Sequence, residues 1–571
     1  MKTLRAIQPV MSYLEISKLL MLGLLGILTA NAWAQQVVPL AHRWEADPGF
    51  GDVWAIVREP RAKYLELEDL RSDQAIVRFE AAQNICLNYD RPGFRNPEKA
   101  LKLLIEQLSK DTNSIHIRRS MISGACLLDD GSNAQTIWQA AKSDPVSASM
   151  VESFLIQWKS PIAKELWRER LADPKSTAWD LERALDGLAV VGEQQDRSRC
   201  VDTLRSNRST PIIRLAAARA LGKLQTTGLL ELADEVLGST DPDKHLLAAN
   251  LIAQHDEQGT LKRLETILDQ GPSPAQRVAA GSIARSFPDQ GLALASNWAK
   301  HPDDVIRLAA LNLLRSKPSE ANTRLQATLL ADPDAKVRKT ARLQLLEIAN
   351  NGLRPVVDEC ISEKLASEAW QGIEQAIVLA VELQDRSRCP TFLKLLDHPR
   401  AEVNMHAGWG LMELADDPTI IASMAPIAME FTAELEAGKR FSKQDFIRQS
   451  FLFEAFGKNR YAPVVDMLRK YIPKDDFKMG NLTRASAIWA LGKILKDQDD
   501  PQLRTQLRER IFDLGTMNPE NYLVGYACIL ALGEFGFLDS MGPVERHAID
   551  SRDALSCAGR WAKAQIEKAA K

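Results

Sequence analysis

The sequence contains no Cys-x-x-Cys, and none of its eight histidines is followed by glutamate. The first absence excludes c-type haem attachment and the usual zinc spacings. No G-x-x-x-x-G-K-[ST] loop, dinucleotide fingerprint or G-x-S-x-G elbow occurs, so the common phosphate-cradling and acyl-transfer motifs are missing. A basic excess is missing too: 72 Lys and Arg face 75 Asp and Glu, for a net charge of −3. Non-specific nucleic-acid binding therefore has no electrostatic support. The seven cysteines make an odd number, and most sit among Ala, Ile and Leu, where a thiol acts as a small buried hydrophobe. No catalytic residue, metal ligand or cofactor is assigned.

Long apolar runs are equally scarce. One stands out, LLMLGLLGILTA from Leu19 to Ala30, with Lys2, Arg5 and Lys18 before it and Ala32-Trp33-Ala34 after it. A charged start, a core of about 12 residues and a small-x-small end are the three parts of a secretory signal peptide. The run falls short of the roughly 20 residues that a membrane span needs. The expectation is a signal peptide over 1–34, cleaved after Ala34, and a mature chain in the periplasm or secreted, without stable membrane insertion. Residues 35–64, with WEADPGFGDVW, carry no periodicity and read as a linker or N-terminal cap.

At 571 residues the chain exceeds one ordinary core, and repetition fills it. DRSRC occurs at 196–200 and again at 385–389. In PIIRLAAARALGKL, which starts at Pro211, Ile213, Ala216, Ala217, Ala220 and Leu221 share one helical face. Similar stretches carry Arg277, Arg307 and Arg338, 30 and 31 residues apart, each after a turn rich in Asp or Pro. Those residues suit helix starts, Asp as a cap and Pro in the first turn. Less regular helical stretches lie between, so each unit reads as helix A, turn, helix B. Six such steps separate the two DRSRC copies. Both copies are therefore expected to open a helix A, with Asp as its cap and Cys200 or Cys389 entering the core, too far apart for a disulfide.

The turn Asp or Pro, the Ile-Arg or Val-Arg pair and the triplets Ala220-Leu221-Gly222, Ala490-Leu491-Gly492 and Ala531-Leu532-Gly533 resemble HEAT repeats, especially the short type of the phycocyanobilin lyases. The resemblance covers roughly residues 65–570. It implies an all-α fold, an α-solenoid wound as a right-handed superhelix of about 15 helix–turn–helix repeats. The period is regular over 65–415; residues 416–571 combine longer loops with a C-terminal cap. The resemblance also implies a structural ladder in which Arg214, Arg277, Arg307, Arg338, Arg448 and Arg484 pair with turn aspartates such as Asp303, Asp332 or Asp334. Deoxyhypusine hydroxylases resemble this scaffold and hold two irons through His-Glu dipeptides, which are missing here. A bilin-lyase activity would rest on fold analogy alone.

One helix B position departs from the pattern. Arg219 lies off the core face, and its equivalents run Asn250, Ser282, Asn312 and Leu343, then Trp409, Trp489, Leu530 and Trp561. Helix B lines the concave wall of a HEAT solenoid, so the last four are expected to form an exposed, largely aromatic stripe of the kind that makes binding hot spots. The function expected is a non-catalytic scaffold or adaptor that binds a protein partner, not nucleic acid, along that concave face. The alternatives are a glycan- or cell-wall-binding module that uses the Trp row, and an enzyme related to the bilin lyases.

Overall fold

The computed structural model describes residues 67–89, 96–110, 113–206, 209–474, 479–496, 498–515, 518–549 and 554–571. The expected signal peptide and the linker up to residue 64 lie outside them. Every regular element among the described residues is a helix, and A and B helices alternate. B helices start at Ala75, Ile115, Pro145, Ala178, Pro211, Lys244, Ser273 and Asp304, then at Ala335, Trp370, Ala401, Lys443, Asn481, Tyr522 and Ala554. The first eight belong to a compact unit ending at Gln326, and the other seven to one running from Ala327 to Lys571. Within each unit, every B helix packs on its own A helix and on the next B helix. Each unit is thus an α-solenoid, and the fold is all-α.

Local chemistry explains these elements. Asp303 caps Asp304–Ser316 by accepting the N–H of Val305 at 3.0 Å, and Asp334 caps Ala335–Ile348 through Lys336 and Val337 at 2.8 and 3.0 Å. Ala216, Ala217 and Ala220 are buried where Pro211–Leu224 meets its neighbours. The glycine of each A-L-G triplet marks the crossing of the next B helix. A β-carbon on Gly492 would stand 2.8 Å from the Cα of Ala531, and one on Gly222 would collide with the carbonyl oxygen of Asn250. The longer step after residue 415 is taken up by an extended helix A, Pro418–Glu436.

Both DRSRC copies open a helix A, as Asp196–Arg205 and as a 3-10 turn, Arg386–Arg388, that runs into Cys389–Leu395. Cys200 and Cys389 are buried and free. The capping expectation holds for Asp385, which accepts the N–H of Ser387 at 3.2 Å, and fails for Asp196. That residue is already inside the helix. Its buried carboxylate accepts two bonds from Arg168 at 2.9 Å each and the N–H of Glu193 at 2.8 Å. A guanidinium fork satisfies a carboxylate more strongly than one cap bond does. The two arginines act alike in both copies. The second reaches back to a carbonyl of the preceding helix A: Arg199 to Arg168 at 3.0 Å, Arg388 to Asp358 at 2.9 Å. The first reaches forward to the far end of its own helix B or just beyond it: Arg197 to the Leu224 carbonyl at 2.9 Å, Arg386 to the Asp416 carboxylate, two residues past Leu414, at 3.1 Å.

The arginine ladder exists, with acceptors broader than expected. Arg214 pairs with Asp241, and Arg277 with Asp303 at 2.8 Å. Arg307 and Arg338 reach main-chain carbonyls of their own turns: His301 and Pro302 at 2.8 and 2.9 Å, and Asp332 and Pro333 at 2.8 and 3.0 Å. Arg448 donates to the Leu396 carbonyl at 3.1 Å and lies over the Phe431 ring. Arg484 grips Glu520 through two bonds of 2.8 Å and also reaches the carbonyls of Tyr471 and Ile472.

Two predictions follow from this packing. Burial pushes the thiols of Cys126 and Cys200 up to about 12 and that of Cys389 to about 11. Iodoacetamide at pH 8 therefore leaves all three unmodified in the native chain and alkylates them after denaturation. Peptide mass spectrometry reads this, and fast native labelling of Cys200 would contradict the packing. The second concerns Arg484 and Glu520, whose side chains are each 4% exposed. Burial alone would raise the Glu520 carboxyl, but the Arg484 bonds outweigh it and hold it below the ordinary glutamate range. Arg484→Met leaves the buried carboxylate facing Arg510 at 3.6 Å and the Asn521 N–H at 2.8 Å, and costs about 3 kcal/mol at pH 7, most of it recovered in Arg484→Met/Glu520→Leu. A depressed folded-state pKa adds stability only above the unfolded value, so the cost shrinks as pH falls below about 4. Denaturant titration at pH 7 and pH 3.5 measures both effects; a cost that is the same at both pH values refutes the assignment.

Candidate binding surface

The stripe expected from Trp409, Trp489, Leu530 and Trp561 is not an exposed row. Trp489 is 3% exposed and Leu530 fully buried, while Trp409 and Trp561 are half-buried. The three successive B helices Lys443–Lys458, Asn481–Ile494 and Tyr522–Phe535 offer no outward face along most of their length. Burial is unbroken from Gln449 to Gly457, from Thr483 to Gly492 and from Tyr526 to Gly533, as in any helix that is apolar all round. The aromatic rings fill notches left by glycine. A β-carbon on Gly457 would lie 2.7 Å from the Trp489 ring, and one on Gly533 would lie 2.6 Å from the Trp561 ring. These rings are knobs between successive helices, where interiors pack at crystal-like density. The Lys493 ammonium lies over the Trp489 ring, 5.5 Å from its centroid.

Exposed apolar surface lies elsewhere, in the unit that ends at Gln326. Five successive B helices each present one large apolar residue in their first turn: Ile76, Ile115, Val146, Trp179 and Ile212, which are 48–61% exposed. Their helices, Ala75–Asn88, Ile115–Leu128, Pro145–Gln157, Ala178–Val191 and Pro211–Leu224, pack side by side in that order. The five residues therefore form a row along one edge of the stack, in steps of about 8–10 Å. At Trp179 the Arg183 guanidinium lies 4.9 Å from the ring centroid, a cation–π contact that holds the ring against its helix. The row breaks at the next two units, where the same position holds His245 and Pro274.

This position was missed because it precedes the core pattern. Ile212 stands one residue before the buried Ile213, at the junction of turn and helix, where hydrophobic periodicity has not begun. Single exposed apolar residues need no explanation; one in the first turn of each of five successive B helices does. The readable signal was a large apolar residue in the first helical turn in repeat after repeat.

Other surfaces offer less chemistry. A cleft of about 80 Å³ is lined by Lys474, Asn481, Arg484, Asn518, Pro519, Glu520 and Asn521, far below the few hundred Å³ of a small-molecule site. Its charges are spent on one another, Lys474 on Asp513 and Arg484 on Glu520.

No protein-family model and no curated protein sequence matches the chain. Solved structures do. Kap95p, the yeast importin beta, in a structure concerned with RanGDP, is 14% identical with a TM-score of 0.47, over 89% of this chain and 72% of that one. Importin beta crystallised in an ammonium sulfate condition is 12% identical with a TM-score of 0.46, over 89% and 73%. Kap121p bound to Pho4p is 12% identical with a TM-score of 0.47, over 90% of this chain and 57% of that one.

Proposed function

We propose that this chain is a non-catalytic scaffold that binds a protein partner through the apolar row on the edge of its first unit. The row itself carries the reading. Contiguous exposed apolar surface framed by polar residues marks interaction sites, and Trp is the side chain most enriched among binding hot spots. Its geometry suits an extended segment, because every third residue of such a segment advances about 10 Å, one helix step along the row. The ladder arginines support the reading indirectly, since their hydrogen bonds run to groups of this chain rather than forming an anion track. This edge replaces the concave wall expected from the sequence. A glycan-binding role loses its main support with Trp489 and Leu530 buried. We take the binding to occur in the periplasm or outside the cell, a reading supported by the signal peptide expected from the sequence.

The test is a comparison of two forms of the chain against an envelope extract. Trp179→Ser/Ile212→Ser alters only exposed side chains, so stability stays within about 0.5 kcal/mol of the parent. Partner recovery drops at least tenfold, and cross-links formed by the parent map to peptides carrying Val146, Trp179 or Ile212. Equal recovery by the two forms, with cross-links elsewhere, would remove the row from consideration.

A further inference from the structure

We infer that the segment received by this row is acidic: an extended chain in the polyproline II form, with an apolar side chain at every third position and carboxylates between. This rests on reading the row as a docking surface, and it names the chemistry of the partner.

The charges along the edge carry the inference. Lys142 lies in the turn between helices Ala134–Ala141 and Pro145–Gln157, and Lys175 in the turn between Lys164–Ala172 and Ala178–Val191. Each stands four residues before a member of the row, Val146 or Trp179, so the pair of lysine and apolar residue recurs at an interval of 33 residues. Both lysines are exposed. Neither they nor Arg183, which lies over the Trp179 ring, has an ion-pair partner among the described residues. The carboxylates nearby are mostly committed. Asp144 accepts two bonds from Arg119 at 2.7 and 2.8 Å. Asp180 accepts the Thr177 hydroxyl at 2.6 Å and lies 3.6 Å from Arg170, and Glu182 lies 3.9 Å from Arg219. Asp173 is the exposed exception, and it accepts the main-chain N–H of Lys175 at 2.9 Å. The stretch from Val146 to Trp179 is therefore left with spare positive charge, on a chain whose net charge is −3. The first turns of the B helices also present their positive ends at this edge. Such a surface selects a partner of negative charge. At the other end, exposed Asp73 and Glu80 outnumber Arg78, so the partner's carboxylates belong opposite Val146 and Trp179.

Geometry selects the form of the segment. In polyproline II every third residue returns to the same face after about 9 Å, which matches one helix step of about 8–10 Å along the row. A β-strand alternates faces and would turn every second anchor away. The row is one residue wide, with the cap residues Asp144, Thr177 and Thr210 beside it. That suits a chain better than the broad apolar face with which a protein lies on a bilayer.

Fluorescein-labelled peptides of five Leu-Glu-Pro, Leu-Gln-Pro or Leu-Lys-Pro repeats share the apolar spacing and differ in charge. Fluorescence anisotropy measures their binding to the full chain, to Lys142→Glu/Lys175→Glu and to Trp179→Ser/Ile212→Ser. An unchanged thermal melt checks that both variants fold. The acidic peptide binds the parent about tenfold more tightly than the neutral one. The lysine variant reverses that order in favour of the basic peptide, and Trp179→Ser/Ile212→Ser weakens all binding. Equal binding of the acidic and neutral peptides, lost only in Trp179→Ser/Ile212→Ser, overturns the acidic partner and leaves the docking row standing. Binding that survives both variants, or no binding by any peptide, overturns the row as well. Capture of phosphatidylserine vesicles by the parent and by neither variant, without peptide binding, makes the edge a membrane surface and overturns both readings.

Discussion

Successive B helices come into backbone contact, and most of the architecture depends on that closeness. Alanine and glycine make it possible: Ala216, Ala217 and Ala220 leave no bulk at the crossing, and Gly222 and Gly492 stand where any β-carbon would strike the next helix. Dispersion between close-packed atoms is individually weak and collectively large, so the tight crossings at Gly222, Gly457, Gly492 and Gly533 are a major source of cohesion. It also fixes the direction of each helix. Once the B helices are in register, their first turns must line up along one edge, and the side chains placed there become a row whatever their identity.

Polar groups then join one repeat to the next. Arg168 and Asp196, Arg277 and Asp303, and Arg484 and Glu520 are all charge-assisted contacts between neighbouring repeats. Desolvation makes such pairs modest contributors to net stability. Their geometric demands are strict, however, and a slipped register would leave a buried charge alone. Packing supplies the cohesion and the ladder selects the register.

The repeats were legible because their signal is local. Proline or aspartate at a turn, a short apolar face and an A-L-G triplet recur often enough to fix the helices and their order. The Trp row was misread for an equally physical reason. Its outward placement assumed that each B helix keeps a polar face, as Pro211–Leu224 does at Arg219. The stretches around Trp489 and Leu530 are apolar nearly all round, and that composition announces burial on every side. The glycine that receives each ring lies one repeat earlier, at Gly457 or Gly533, beyond the reach of any single-helix argument. Asp196 shows the same limit. Its sequence context matches that of Asp385, and only the neighbouring helix, by offering Arg168, decides that one of them caps and the other pairs.

The second arginine of each DRSRC copy bonds to a main-chain carbonyl of the preceding repeat, at Arg168 or Asp358. A carbonyl is present at that place whatever side chain its residue carries. The latch therefore survives substitution in its neighbour, whereas a side-chain pair requires both partners to change in step. A module that grips the backbone of the one before it can be copied, lost or moved along the array without a matching change next door. Such a joint lets an array alter its length while its individual repeats drift apart in sequence.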